Sequence, residues 1–158
     1  MKVLVIFYSR TGNTRRVAQE IMTLLHCDGE ELRDQIKRTG FVGYMRSGRQ
    51  AMRKEPVHLD ALVKNIQDYD VVIVGTPIWA FTMSAPIRSF LEQQKKDLPE
   101  VAFFTTSGSS PGDKTFSQMQ EVVGKAPKAT MSVFEGDLKT DAYKEIVLGF
   151  VQHLQKED

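Results

Sequence analysis

Three unbroken apolar runs constrain this chain more than anything else in it: "KVLVIFY" at residues 2–8, "DVVIVGT" at 70–76 and "VAFFTTSG" at 101–108. Each is rich in β-branched or aromatic residues, and none alternates apolar with polar. A strand with one wet face alternates. A strand buried on both faces does not, and such burial is the rule for parallel sheets covered by helices. A fourth run, "KATMSVFEG" at 128–136, is weaker, and "EELRD" at 30–34 offers a short further strand.

Helical patterns fill the intervals. Val17, Ala18, Ile21, Met22 and Leu25 recur at the spacing of one helix face. In "SAPIRSFLEQQKK", Ser84 caps, Pro86 sits in the first turn, and Ile87, Phe90 and Leu91 share a face. "DKTFSQMQEVVG" groups Phe116, Met119, Val122 and Val123 and stops at Gly124. A last helix is predicted from Thr140, with Ile146, Phe150 and Leu154 inward, and a short one through Leu59, Leu62, Val63 and Ile66 ahead of a turn at 68–70. Strand and helix in alternation predict a doubly wound α/β fold. With 158 residues, one domain spanning 1–158 can bury a core without staples. The segment at about 37–55 interrupts the alternation and reads as a basic insertion: six Lys or Arg from Lys37 to Lys54 and no acid.

Bulk properties exclude several functions. A net charge of +1 exerts no general pull on nucleic acid or acidic membranes. His26, His58 and His153 lack metal-ligand spacing. The lone Cys27 forms no internal disulfide and reads as a small half-buried side chain in a reducing compartment. The opening apolar run is too short for a secretory leader, and no stretch is long enough to span a bilayer, so a cytoplasmic protein is expected.

The chemistry concentrates where the first strand ends, in "YSRTGNT" at 8–14. At a strand-to-helix junction, unpaired amides and the helix dipole favour an anion. Hydroxyls and an amide around Gly12 add donors and allow close backbone approach. The pattern predicts a phosphate cradle; the plainer reading is a turn that only caps the helix. The loop lacks G-x-G-x-x-G and G-K-[ST], which excludes a dinucleotide fingerprint and a P-loop. It holds no nucleophilic cysteine and no metal-binding acid, which argues against a phosphatase or a phospho-acceptor site.

"SRTGNT" after the first strand resembles the phosphate loop of the flavodoxin family. "VVIVGTPIWAFTMSAPIRSFLEQ" resembles that family's third strand, flavin loop and following helix, and "VAFFTTSGSSPGD" its fourth strand and second flavin loop. The resemblance implies a five-stranded parallel sheet of order 2-1-3-4-5 and a bound FMN. It implies that Ser9, Arg10, Thr11, Gly12, Asn13 and Thr14 hold the phosphate, with the Arg10 side chain in solvent. Pro77, Ile78, Trp79, Ala80 and Phe81 would border the isoalloxazine, and Ser107, Gly108, Ser109 and Gly112 its pyrimidine edge. The second loop lacks the stacking tyrosine and acidic neighbours of many flavodoxins. That difference predicts a raised flavin potential. Phe41, Tyr44 and Met45 of the insertion are expected to fold over the flavin, with Tyr44 in place of the missing ring. The implied function is electron transfer through bound FMN with a redox partner protein. The alternatives are an NAD(P)H-dependent reductase of a quinone or other small acceptor, and a flavin-free interaction module. Neither a nucleic-acid partner nor a catalytic side chain is implied.

Overall fold

Residues 1–156 are described in a computed structural model; Glu157 and Asp158, the end of the expected domain, lie outside the described residues. The three unbroken runs become the sheet centre: β1 (Val3–Phe7), β3 (Val71–Trp79) and β5 (Glu100–Ser107). β2 (Asp28–Glu31) and β6 (Thr130–Phe134) form the edges, giving the order β2-β1-β3-β5-β6. All four pairings along this path are parallel, with Val5 opposite both Gly29 and Ile73. The expected five-stranded order is present. One addition is β4 (Thr82–Met83), which folds back antiparallel on β3.

Successive residues of one strand point to opposite faces, and both faces are covered, which is why the runs lack alternation. Val3, Val5 and Phe7 pack under α1 (Asn13–Leu25) and the last helix, α6 (Tyr143–Lys156), with Ile21, Phe150 and Leu154. Leu4 and Ile6 pack on the other face with Ile87, Phe90 and Leu91 of α3 (Ala85–Gln94) and Met119 of α4 (Asp113–Val123). Each such fully buried side chain contributes roughly 1.5–3 kcal/mol of transfer free energy.

Four local expectations change. The second strand lies at 28–31, slightly earlier than "EELRD", because its partner β1 ends at Phe7, which pairs with Glu31; the buried Leu32 donates the last bond of that pairing, from its amide to Phe7 O at 2.8 Å. Residues 55–65 form no helix. The Glu30 carboxylate accepts the Val63 and Lys64 amides at 2.7 and 2.9 Å and holds this path in a non-helical bend, followed by a 3₁₀ turn at Ile66–Asp68. Leu59 and Leu62 still reach the core edge, but Val63 is 88% exposed. A short helix, α5 (Glu135–Lys139), follows β6, and α6 starts at Tyr143 because Asp141 adopts φ 60. Arg16 ties that break down through Leu138 O at 2.8 Å and Asp141 at 2.6 Å.

The basic insertion is a regular 14-residue helix, α2 (Gly40–Arg53). Its small residues Gly43, Ser47 and Ala51 recur every fourth position and form the buried stripe. A Cβ at Gly43 would stand 2.2 Å from the Arg38 carbonyl carbon, so only glycine allows that approach.

Candidate functional site

Strand order reverses between β1 and β3, and ligands of open α/β sheets sit beyond the carboxyl ends of strands at such a point. The loop after β1 is organised from within. Gly12 precedes α1 at φ 103, a conformation that most residues disfavour. Ser9 Oγ is buried and accepts the amides of Gly12 at 3.1 Å and Arg15 at 3.2 Å, while the Arg16 amide bonds Gly12 O. The amides of Asn13 and Thr14 open the helix and have no intrahelical acceptor. Thr14 Oγ1 lies 2.7 Å from Thr106 Oγ1 at the end of β5, which locks loop to sheet. The donors expected of a phosphate cradle are therefore present, held from behind by a serine already engaged.

A cavity of about 390 Å³ opens beside this loop. Of the residues expected at the site, Arg10, Thr11, Asn13, Thr14, Tyr44, Pro77, Ile78, Trp79, Ala80, Phe81, Ser107, Gly108 and Ser109 line it. Three do not. Ser9 and Gly12 form the back of the loop. Gly112 caps α4 and donates to Ser132 Oγ at 3.1 Å, and a Cβ there would stand 2.6 Å from the Phe116 ring. Sequence reading missed Thr106, Ser110 and Glu135, which also line the cavity. The first two lie within the quoted "TTSGSS" and were within reach. Glu135 was not, since it arrives from the far edge of the sheet at the start of α5.

The aromatic wall depends on a turn that sequence alone does not announce. Ala80 and Phe81 link β3 to β4 with φ 48 and 62. Positive φ at both centres is the pattern of a type I′ hairpin turn, which normally selects Asn-Gly. With alanine and phenylalanine it carries backbone strain of the kind concentrated at functional sites. The turn leaves Phe81 72% exposed at the cavity, while Trp79 is buried. Tyr8 meets Trp79 edge-on at 5.5 Å and 88°. Burial, followed by the charge of Asp34, pushes the Tyr8 hydroxyl up to about 12.

Arg38, one of the six basic residues counted in the insertion, is buried. Its guanidinium lies 4.9 Å from the Trp79 ring centre and 6.0 Å from that of Tyr8. Nε and Nη2 donate to Asp34 Oδ2 at 3.0 and 2.7 Å, and Nη1 donates to Gln50 Oε1 at 2.7 Å and Ser47 Oγ at 3.2 Å. One side chain thus joins α2, the 34–38 segment and the wall of the cavity. The Arg10 side chain, expected in solvent, lies over Tyr44 with its guanidinium 5.4 Å from the ring centre. Tyr44 reaches the cavity as expected. Met45 lines an adjoining groove, and Phe41 is 77% exposed and lines neither.

A doubly wound parallel sheet with a donor-rich loop at its switch point and an aromatic slot alongside defines a class of α/β proteins that hold a phosphorylated ligand there. Within that class the chain belongs to the flavodoxin family, whose profile, described as "Flavodoxin", matches residues 2–150. Solved structures with the same fold include a flavoprotein from Lactobacillus acidophilus in complex with FMN, at 22% identity, TM-score 0.69, and coverage of 90% of this chain and 97% of that one. A flavodoxin from the domain Archaea aligns at 16% identity, TM-score 0.58, covering 98% and 99%. Two-electron reduced Megasphaera elsdenii flavodoxin aligns at 20% identity, TM-score 0.58, covering 96% and 99%. The expected fold and the expected family agree with these matches. Among the described residues no helix is long and apolar enough to cross a membrane.

Proposed function

We propose that this chain, as one domain over 1–158, binds FMN non-covalently and uses it to transfer electrons. The observation that carries the reading is the loop at 9–14: free helix-opening amides, the Thr14–Thr106 hydroxyl pair and Gly12 in one turn, at the mouth of an aromatic-walled cavity. With the Thr106 hydroxyl donating to Thr14, the Thr14 hydroxyl proton is free for a phosphate oxygen. Thr11 and Asn13 complete the cradle. Trp79, Phe81 and Tyr44 flank the ring, and Ser107, Gly108 and Ser109 take its polar edge. FMN, when bound, supplies one- or two-electron chemistry. The chain's own part is to hold the phosphate, orient the ring and set the surrounding charge. The lone unpaired Cys27 fits a reducing, cytoplasmic setting.

The chain has one tryptophan, Trp79, and it lies in the cavity wall, so titration of flavin-free protein with FMN should quench its fluorescence and turn the protein yellow. Replacing Thr11 and Thr14 together by alanine should weaken binding by about 3 kcal/mol, the scale of two hydrogen bonds to a charged phosphate. A protein that ignores FMN in this titration refutes the proposal and leaves the flavin-free module standing.

A second reading, reduction of a small acceptor by NAD(P)H, is favoured by Arg46 and Arg49, exposed on α2 without ion-pair partners among the described residues. Anaerobic NADPH decides. Bleaching of the flavin by NADPH alone supports a reductase, and bleaching only with an added reductase supports a carrier that serves a redox partner protein.

A further inference from the structure

Helix α2 carries a second stripe beside the small buried one. Tyr44, Gly48 and Met52, again four apart, border a groove separate from the main cavity, joined by Met45, Arg49 and the 78–80 segment. The groove holds about 320 Å³, within the size range of small-molecule sites. Its lining is apolar except for one charge. Met45 and Met52 are 56% and 67% exposed and line the groove together with the exposed Tyr44, a contiguous apolar patch of the kind that marks ligand-binding grooves. Methionine also adapts its shape to a guest. Gly48 leaves its floor open, since a Cβ there would meet nothing nearer than Ala80 Cβ at 4.0 Å. Arg49 lines the groove and has neither a hydrogen-bond nor an ion-pair partner among the described residues. Tyr44, Ile78, Trp79 and Ala80 line both the groove and the main cavity, so they form a shared wall between the two.

We propose that this groove binds a flat, apolar small molecule bearing one acidic group, its body against Met45, Met52 and the Trp79 wall and its acid on Arg49. The charge argument selects the class. A neutral apolar guest leaves the arginine unused, and a cationic one meets Arg49 with Arg46 and Arg53 on the same helix and no acid on it. The binding stands on the groove alone. That the guest is the molecule with which the flavin exchanges electrons rests on the FMN reading above.

The test uses naphthalene-2-sulfonate and its neutral counterpart, naphthalene-2-methanol, titrated calorimetrically into the full chain with and without FMN. The sulfonate should bind at least fivefold more tightly than the alcohol. Arg49→Met, which keeps the apolar stem, should remove that preference, and Gly48→Leu, which fills the floor with a helix-favouring residue, should weaken both probes at least tenfold. FMN affinity should stay within twofold in each variant. No sulfonate binding to the parent protein, a preference that survives Arg49→Met, or probe binding that survives Gly48→Leu would each overturn the proposal. So would a parallel loss of FMN affinity in Gly48→Leu, which would make the groove part of the cofactor cavity. Sulfonate binding with Arg49 dependence in a protein that ignores FMN would sink the flavin reading and leave the groove intact; a yellow protein indifferent to the sulfonate would do the reverse.

Discussion

Removing the charge of Arg38 should strip the buried ion pair that ties α2 to the segment before it. The side chains of Asp34 and Arg38 are each 2% exposed, and Arg38 spends four hydrogen bonds on Asp34, Ser47 and Gln50 while lying against Trp79. Arg38→Met keeps much of the buried stem but leaves the Asp34 carboxylate in the interior without a counter-charge. Breaking a buried pair by removing one partner costs about 3–5 kcal/mol, most of it the penalty on the abandoned ion. The lost contact with the Trp79 face lies within that sum, at about 1 kcal/mol. Against a total stability of about 5–15 kcal/mol, the loss is large. Arg38→Met with Asp34→Leu removes both charges and should recover most of it, giving a coupling of at least about 2 kcal/mol in the double-mutant cycle. Urea unfolding followed by far-UV dichroism and by Trp79 emission measures all four proteins. A loss below about 1 kcal/mol for Arg38→Met, or single-mutant costs that simply add, refutes the reasoning. It would mean that water reaches the pair, or that α2 lies against the sheet by apolar contact alone.

Other expectations follow from the same contacts. Burial holds the Tyr8 hydroxyl up to about 12, and the hydrogen bond to Asp28 does the same for Tyr69, against about 10 in the unfolded chain. Their contribution is whole below pH 10 and is lost as the pH climbs through 10 to 12, where the unfolded chain has released protons that the fold retains. Urea midpoints should fall across that window, less steeply in Tyr8→Phe. Ala80→Asn with Phe81→Gly relaxes the hairpin turn and should raise stability by about 1 kcal/mol, while calorimetry shows weaker FMN binding through loss of the exposed phenyl ring. Burial pushes the Cys27 thiol up to about 11, so a disulfide reagent at pH 8 should label native protein slowly and denatured protein fast. Glu135→Gln removes a carboxylate from the cavity rim and should raise the midpoint potential of bound FMN in a dye-equilibrium titration; an unchanged potential would place that carboxylate outside the flavin's field.

The legible parts of this protein are those in which neighbours along the chain are neighbours in space. Residues 3–7, 71–74 and 101–104 announce themselves because a strand covered on both sides needs apolar residues at every position. The loop at 9–14 was legible for a similar reason: a tight strand-to-helix turn that exposes its amides demands glycine and short hydroxyl residues within a few positions. The failures fall where one distant side chain overrode the local pattern. The apolar spacing of Leu59, Leu62, Val63 and Ile66 fits a helix, but the Glu30 carboxylate captured two of its amides. A capping interaction from another element leaves no trace in the periodicity of the segment it caps.

Pattern alone settled the central strands of the sheet and the position of the donor-rich loop at 9–14, because these follow from periodicity and from the short-range needs of backbone hydrogen bonding, whereas the strand order came from the resemblance to the flavodoxin family. Tertiary packing decided which loop residues face the cavity and which, like Ser9, brace it from behind. It also turned a run of basic residues into a helix that closes one wall, and drew Arg38 out of that run to lie beside Trp79 between Asp34 and Gln50. Where a long charged side chain ends depends on partners gathered from separate parts of the chain, and their meeting is determined only when the backbone has closed around them.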